Sequence, residues 1–168
     1  PQSAIENMGL LTLTSKGLSW FRKGHPWIFR DDLERIRDAA PGNVVSLETR
    51  NGEFLAQGFY SDRSKIAFRL VSRGAEPLGR DFWKERFLRA DRFRRAVVQD
   101  TNAYRLVYGE SDGIPSLILD RYGDHLAMQA LSQGADRLTP LFADLVAELF
   151  RPSSLTLRND LAVRSLEG

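Results

Sequence analysis

Val44-Val-Ser-Leu-Glu-Thr-Arg-Asn-Gly-Glu-Phe-Leu-Ala-Gln-Gly-Phe-Tyr60 reads as two strands joined by a tight turn. Asn51-Gly52 lies between the runs Val44–Glu48 and Phe54–Tyr60. That dipeptide suits a type I′ hairpin, whose two central positions both need positive φ. Lys65–Val71 alternates, which predicts Ile66, Phe68 and Leu70 on one face and Lys65, Ala67 and Arg69 on the other. Leu10–Leu13 is a further short apolar run. Several short strands with tight turns predict a small β-barrel or curved sheet over residues 1–75.

Glycine and proline cluster at Arg73–Gly79, which marks a linker, so residues 76–100 are expected to be linker and connecting helix. Asp81 is the expected N-cap. Trp83, Phe87, Ala90 and Val97 mark the apolar face, with Phe82 and Phe93 beside them. Arg86, Arg89, Arg92, Arg94 and Arg95 mark the polar face, read as a solvated surface with Glu85 paired to Arg89, with direct RNA contact as the alternative. Residues 101–168 read as a third block. Tyr104–Tyr108 is a strand, and Gly109-Glu-Ser-Asp-Gly113 is a turn with exposed carboxylates. Ile118–Tyr122 and His125–Ala130 form a hairpin, Asp136–Phe150 is a helix, and Leu155–Leu157 is a strand. The helix should face inward through Leu138, Leu141, Phe142, Leu145, Val146 and Leu149. This strand-strand-helix-strand order is an α+β pattern. It closes on no further element, so the block is expected to be incomplete. Its bare sheet edge should then pair with a second copy as a homodimer, or leave Asn159–Gly168 poorly ordered.

The 168 residues suffice for one ordinary domain or two small ones. Cysteine is absent, which excludes disulfides, thiolate metal sites and a cysteine nucleophile within the chain. The two histidines, His25 and His125, have no acidic cluster beside them at ligand spacing, so no metal site is expected. No apolar run is long enough to span a bilayer, and the expected location is the cytoplasm. No G-x-S-x-G elbow, Walker loop or G-x-G-x-x-G loop is present. The turn at 109–113 precedes Pro115 and another strand, so no helix N-terminus follows it to hold an anion. Residues 1–100 carry 18 basic and 13 acidic groups, and the remainder carries 6 and 9. The basic half permits contact with nucleic acid.

Lys16-Gly-Leu-Ser-Trp-Phe-Arg-Lys-Gly-His-Pro-Trp-Ile-Phe29 interleaves cations with aromatic rings. Single-stranded RNA rewards that mixture, because phosphates attract the cations and bases stack on the rings. Gly24 would allow close backbone approach. Trp27 and Phe29 are expected in the core, with Lys23 and His25 facing outward. Lys16, Arg22, Lys23, His25, Lys65, Arg69 and Arg73 are the candidate RNA-binding residues. A non-enzymatic scaffold that binds protein is the alternative.

Gly24-His-Pro-Trp-Ile-Phe29 resembles the opening of PUA domains that precede class I S-adenosylmethionine-dependent methyltransferases, nearest to the 23S rRNA cytosine-C5 methyltransferases. The resemblance continues through Gly58-Phe-Tyr60, Ser64-Lys-Ile66, Arg69-Leu70, Phe82-Trp83 and Glu85-Arg86. It is strongest at Tyr104–Pro115 and Leu117–Gly123, and extends to Arg158-Asn-Asp160, Val163-Arg164 and Glu167-Gly168. Ser61-Asp62 and Tyr108 depart from it, since relatives tend to carry Asn-Pro and His there. The resemblance implies a PUA domain, an α+β middle domain and a catalytic Rossmann-like domain. Only the first two are expected here, with the Rossmann-like domain absent. Ribosomal RNA is then the expected partner. No catalytic or cofactor-binding residue is expected in the chain, and S-adenosylmethionine belongs to the absent domain.

Overall fold

The computed structural model describes residues 8–158. They divide into two compact units, one comprising residues 8–77 with 132–134, the other 78–131 with 135–158.

The first unit contains β1 (Gly9–Leu13), α1 (Ser15–Arg22), β2 (Trp27–Phe29), β3 (Leu33–Arg37), β4 (Val44–Glu48), β5 (Phe54–Tyr60) and β6 (Ile66–Ser72). The strands form one sheet in the order β2-β6-β5-β4-β1-β3. β1 runs parallel to β4, and the other pairs are antiparallel. β2 and β3 stand at the two ends of this order, so ladder hydrogen bonds among the described residues do not close the expected barrel. Leu11, Leu13, Phe21, Ile28, Val45, Leu47, Ala56, Tyr60 and Phe68 form the core. Each large side chain buried this way contributes about 1.5–3 kcal/mol.

Two local expectations change. The β4–β5 turn is wider than a type I′ turn. Gly52 N–H donates to Thr49 O at 3.0 Å and Thr49 N–H to Glu53 O at 2.9 Å, with positive φ at Gly52 but not at Asn51. This is a type I turn closed by a glycine bulge, in which only the glycine needs the left-handed region. On β6, Ala67 is fully buried and Arg69 only 8% exposed, while Phe68 on the opposite face is also buried. The predicted outer face of this strand is therefore covered as well.

The second unit contains α2 (Arg80–Val97), β7 (Ala103–Tyr108), β8 (Leu117–Tyr122), β9 (His125–Ala130), α3 (Gln133–Arg137), α4 (Thr139–Phe150) and β10 (Ser154–Leu157). Its sheet runs β10-β9-β8-β7. β7, β8 and β9 are antiparallel neighbours, whereas β9 and β10 pair in parallel across α3 and α4. A parallel pair joined through a helical crossover is the unit from which Rossmann-like layers are assembled. The expected strands lie in the expected order, but this unit corrects the expectation that nothing Rossmann-like is present. Arg158 N–H continues the β10 pairing by donating to Met128 O at 2.8 Å. The segment Asn159–Gly168, with the edge contact and disorder expected of it, lies outside the described residues.

α2 starts at Gly79 as N-cap, which moves Asp81 into the first turn. Trp83, Phe87 and Ala90 are buried as the periodicity predicts, but Phe93 and Val97 are more than half exposed. The Trp83 and Phe87 rings meet Phe142 of α4 edge-on at centroid distances of 5.2 and 5.7 Å. The expected helix Asp136–Phe150 is broken between Arg137 and Thr139. Pro140 has no N–H to carry the α3 ladder onward, yet it is tolerated in the first turn of α4.

The arginines of α2 are not simply solvated, and Glu85 pairs with Arg92 at 2.6 Å instead of Arg89. Arg86 donates to Gly113 O and Arg89 to Asp112 O, both at 3.1 Å. Arg94 grips the Asp112 carboxylate through both terminal nitrogens, at 3.2 and 2.6 Å. Asp112 also accepts the Tyr108 N–H at 2.6 Å. Instead of an exposed loop acid, Asp112 is a buried carboxylate that ties the 109–113 turn to α2.

Asp112→Ala should destabilise the second unit by about 3–5 kcal/mol, because it leaves Arg94 in place without its partner. Urea denaturation measures this, and a loss below about 1 kcal/mol would show that the pair behaves as an exposed one. A smaller, pH-dependent effect belongs to Glu148 on α4. Hydrogen bonds from Lys84 and Arg80, each 2.6 Å long, hold its carboxyl below the ordinary value. Its stabilising effect is complete above the ordinary glutamate range and disappears as pH falls through the lowered folded value. The melting temperatures of wild type and Glu148→Gln should therefore differ at neutral pH and converge in acid.

Candidate nucleic-acid interface

The site is built where α1 meets β2. Thr14 caps α1 by accepting the Gly17 N–H at 3.0 Å. The same residue ties the helix to the turn at 30–32, since its N–H and hydroxyl both donate to Asp32 O, at 2.9 and 3.1 Å. α1 can come this close because residue 17 is glycine. A Cβ there would stand 2.5 Å from Asp32 O and 2.9 Å from Asp32 Cβ. Gly24, with φ +90°, then turns the chain from α1 toward β2.

On β2 the side chains alternate. Ile28 enters the core at 1% exposure, while Trp27 is half-buried and Phe29 is 42% exposed. This overturns the expectation that Trp27 and Phe29 are core residues: three apolar residues in a row conceal a period of two. Trp20 of α1 is 46% exposed. His25 stands among these rings, with centroids 6.3 Å from Trp20, 6.1 Å from Trp27 and 6.2 Å from Phe29. Its Nδ1 lies 3.1 Å from Trp27 O and 3.3 Å from Trp27 N, and the ring tautomer decides which contact is a hydrogen bond.

Lys16, Trp20, His25, Trp27, Phe29 and Asp32 line a pocket of about 280 Å³. A groove of about 490 Å³ shares Lys16, Phe29 and Asp32 with it and adds Arg30, Asp31, Arg63, Ser64 and Lys65. Arg30 is structural here. Its guanidinium donates to Ser61 O at 2.6 Å and Ser64 O at 3.1 Å, and its N–H donates to Lys65 O at 2.9 Å. It thereby holds the loop that carries the exposed Arg63 and Lys65. An aromatic slot and a cationic groove thus share the Lys16 ammonium. The first suits a planar ring and the second suits phosphate.

The seven candidate residues separate on inspection. Lys16, His25 and Lys65 line the slot or the groove. Lys23 is exposed, with its ammonium 4.9 Å from the Trp20 ring centroid. Arg69 is buried, with its guanidinium 5.9 Å from the Trp27 centroid, and is not among the residues lining the slot or groove. Arg73 lies over the Phe21 ring at 4.1 Å, and Arg22 is exposed in the last turn of α1. Neither is among the residues lining the slot or groove. Asp32, Arg63 and the exposed faces of Trp20 and Phe29 were not among the candidates. Lys16 and Trp20 are four apart, and that spacing would have paired them once α1 was recognised.

The turn at 109–113 is the nearest thing in the described residues to a cofactor loop, and it does not fit S-adenosylmethionine. Its carbonyls and carboxylate are taken by Arg86, Arg89 and Arg94, and a Cβ on Gly113 would collide with the Arg86 guanidinium.

Residues 11–73 match the family of PUA-like domains. The chain is similar to the ribosomal RNA large subunit methyltransferase I of Aliivibrio fischeri, with 34% identity over 151 residues covering 88% of this chain and 38% of that protein. The protein of the same name from Aeromonas hydrophila is 36% identical over 148 residues, covering 86% of this chain and 37% of the relative. The chain therefore spans less than two-fifths of the length of these curated relatives. Two solved structures share the fold. A methyltransferase complexed with SAH aligns with a TM-score of 0.76 at 18% identity, over 89% of this chain and 40% of that one. A SAM-dependent methyltransferase from Streptococcus mutans gives 0.75 at 18% identity, with the same coverage. Both superpositions extend over most of this chain, so its second unit shares the fold of the corresponding part of those structures. This overturns the expectation that the Rossmann-like part is absent.

Gly17→Ala tests the seat of α1. Alanine favours the helix by about 1 kcal/mol, but the new Cβ meets a backbone oxygen that cannot move aside without shifting the 30–32 turn. The melting temperature should fall and Trp20 fluorescence should change. A rise in melting temperature would show that the seat is slack.

Proposed function

We propose that the first unit grips RNA for an S-adenosylmethionine-dependent methyltransferase that acts in the cytoplasm on large-subunit ribosomal RNA, with cytosine C5 as the methyl acceptor. The observation that carries this reading is the aromatic slot joined to the cationic groove through Lys16. Support comes from the PUA-like match over residues 11–73 and from the names of the curated relatives. Cytosine specificity rests on the sequence resemblance. A cytosine-C5 transfer uses a thiolate that adds to C6 and makes C5 nucleophilic. This chain has no cysteine, so its residues hold and orient RNA and take no covalent step.

In this reading Trp20 and Phe29 offer exposed ring faces to unstacked bases. Lys16, Arg63 and Lys65 meet the phosphates on either side, and Lys23 extends the cationic rim beside Trp20. Arg69 supports Trp27, and Arg22 and Arg73 add positive charge farther out.

Binding of fluorescently labelled single-stranded fragments of large-subunit ribosomal RNA, titrated from low to moderate salt, tests the proposal. Each phosphate neutralised on a single strand contributes about −0.7 to the slope of log K against log salt, so three contacts give about −2. Trp20→Ala should weaken binding about tenfold, within the range for loss of one stacked base, while leaving the melting temperature nearly unchanged. Absence of RNA affinity even at low salt would favour the scaffold reading.

A further inference from the structure

One group at the slot is not needed for stacking or for phosphate. Asp32 lines the pocket as a carboxylate in a residue only 4% exposed. Among the described residues its Oδ1 has the Lys16 ammonium 3.2 Å away as an ion pair but no well-aligned hydrogen bond. A buried carboxylate oxygen held by one exposed ammonium and no aligned hydrogen bond is costly, and a site that merely gathers RNA backbone gains nothing from a negative charge. The charge does make sense if something planar brings donors to it.

We infer that the slot takes a single unstacked guanine and that Asp32 reads its Watson–Crick edge, an inference that rests on the RNA-gripping reading above. Four features point to this. The slot is walled by Trp20, Trp27 and Phe29, whose ring faces stack on a base. Its volume, about 280 Å³, lies at the small end of ligand pockets, which suits one flat ring system better than an extended cofactor. Its polar floor is a carboxylate beside an ammonium. Guanine presents the complementary edge, with O6 as acceptor and N1–H and N2–H as two adjacent donors. The other three bases present no such pair of ring and amino donors side by side, so a carboxylate accepts from guanine at two points and from them at one.

Lys16 suits the companion role. Its side chain is 71% exposed and so can swing from Oδ1 toward O6 without unpacking anything, while the Asp32 side chain is 6% exposed and held in place. α1 fixes the distance between the two, because Thr14 anchors the helix to the Asp32 carbonyl and Gly17 lets it sit there. The arrangement predicts discrimination by hydrogen bonds to the base, laid over an affinity set by stacking and phosphate contact.

The test uses the full chain and uridine pentamers with one central variable base, read by quenching of tryptophan fluorescence at low salt. Trp83 is fully buried in the second unit, so the response comes from Trp20 and Trp27. The pentamer with central guanosine should bind about tenfold more tightly than those with inosine, which lacks N2–H, or 1-methylguanosine, which lacks N1–H. Asp32→Asn, which keeps the shape and the backbone carbonyl, should bring all three to the same affinity. Equal affinity for the three in wild type, with salt dependence and the Trp20→Ala loss retained, would overturn the guanine slot and leave the RNA-gripping reading intact. A guanosine preference that survives Asp32→Asn would also overturn it, by removing Asp32 from the readout. No binding of any pentamer, together with none of ribosomal RNA fragments, would overturn both.

Discussion

Everything at the interface depends on how closely α1 sits against the turn at 30–32. Two hydrogen bonds from Thr14 converge on one carbonyl, that of Asp32, and residue 17 has no side chain to keep the helix off it. This contact fixes Lys16 over the Asp32 carboxylate and directs Trp20 toward β2. With α1 set in this way, Gly24 leads the chain into β2, and Ile28 locks that strand into the core. Trp27 and Phe29 then have only the outer face left to them. The slot is thus a by-product of packing: one buried residue between two aromatic ones, held opposite a capped helix.

The arginines divide by environment. Arg86, Arg89 and Arg94 of α2 donate inside the second unit, to the carbonyls of the 109–113 turn and to Asp112. Such pairs specify a loop conformation, because the guanidinium fork must meet several acceptors at once. In the first unit Arg30 does similar work for the loop at 61–65. The cations left at the groove are Lys16, Arg63 and Lys65, which are exposed and can follow a flexible phosphate chain. Of the chain's 20 arginines and 4 lysines, those held in internal pairs are not free to meet a ligand, which sets the exposed cations at the groove apart.

Much of the architecture was legible beforehand. β4, β5 and β9 lie where the turns at Asn51-Gly52 and Gly123-Asp124 put them, β6 follows the alternation of residues 65–71, and Trp83, Phe87 and Ala90 are buried as their spacing requires. These elements have a strong period and clear punctuation, so local chemistry suffices. α1 was obscured by its mixture of aromatic and basic residues, although Thr14 stands three residues before Gly17 as a cap. The break at Pro140 was underrated because a proline in a first turn and a proline that ends a preceding helix look alike in sequence.

The sequence by itself determined four of the six strands of the first sheet, β1, β4, β5 and β6, the aromatic and cationic character of residues 16–29, the absence of any cysteine thiol chemistry within the chain and the resemblance to PUA-bearing methyltransferases. These follow from residue type and short-range spacing, which folding does not alter. Only the tertiary structure decided that β9 and β10 pair in parallel, that Asp112 is buried against Arg94, that Arg69 approaches the Trp27 ring, and that Asp32 lines the slot. Each of these joins residues from different elements. Whether a charge is buried or solvated depends on what those elements bring against it, and no local pattern records that.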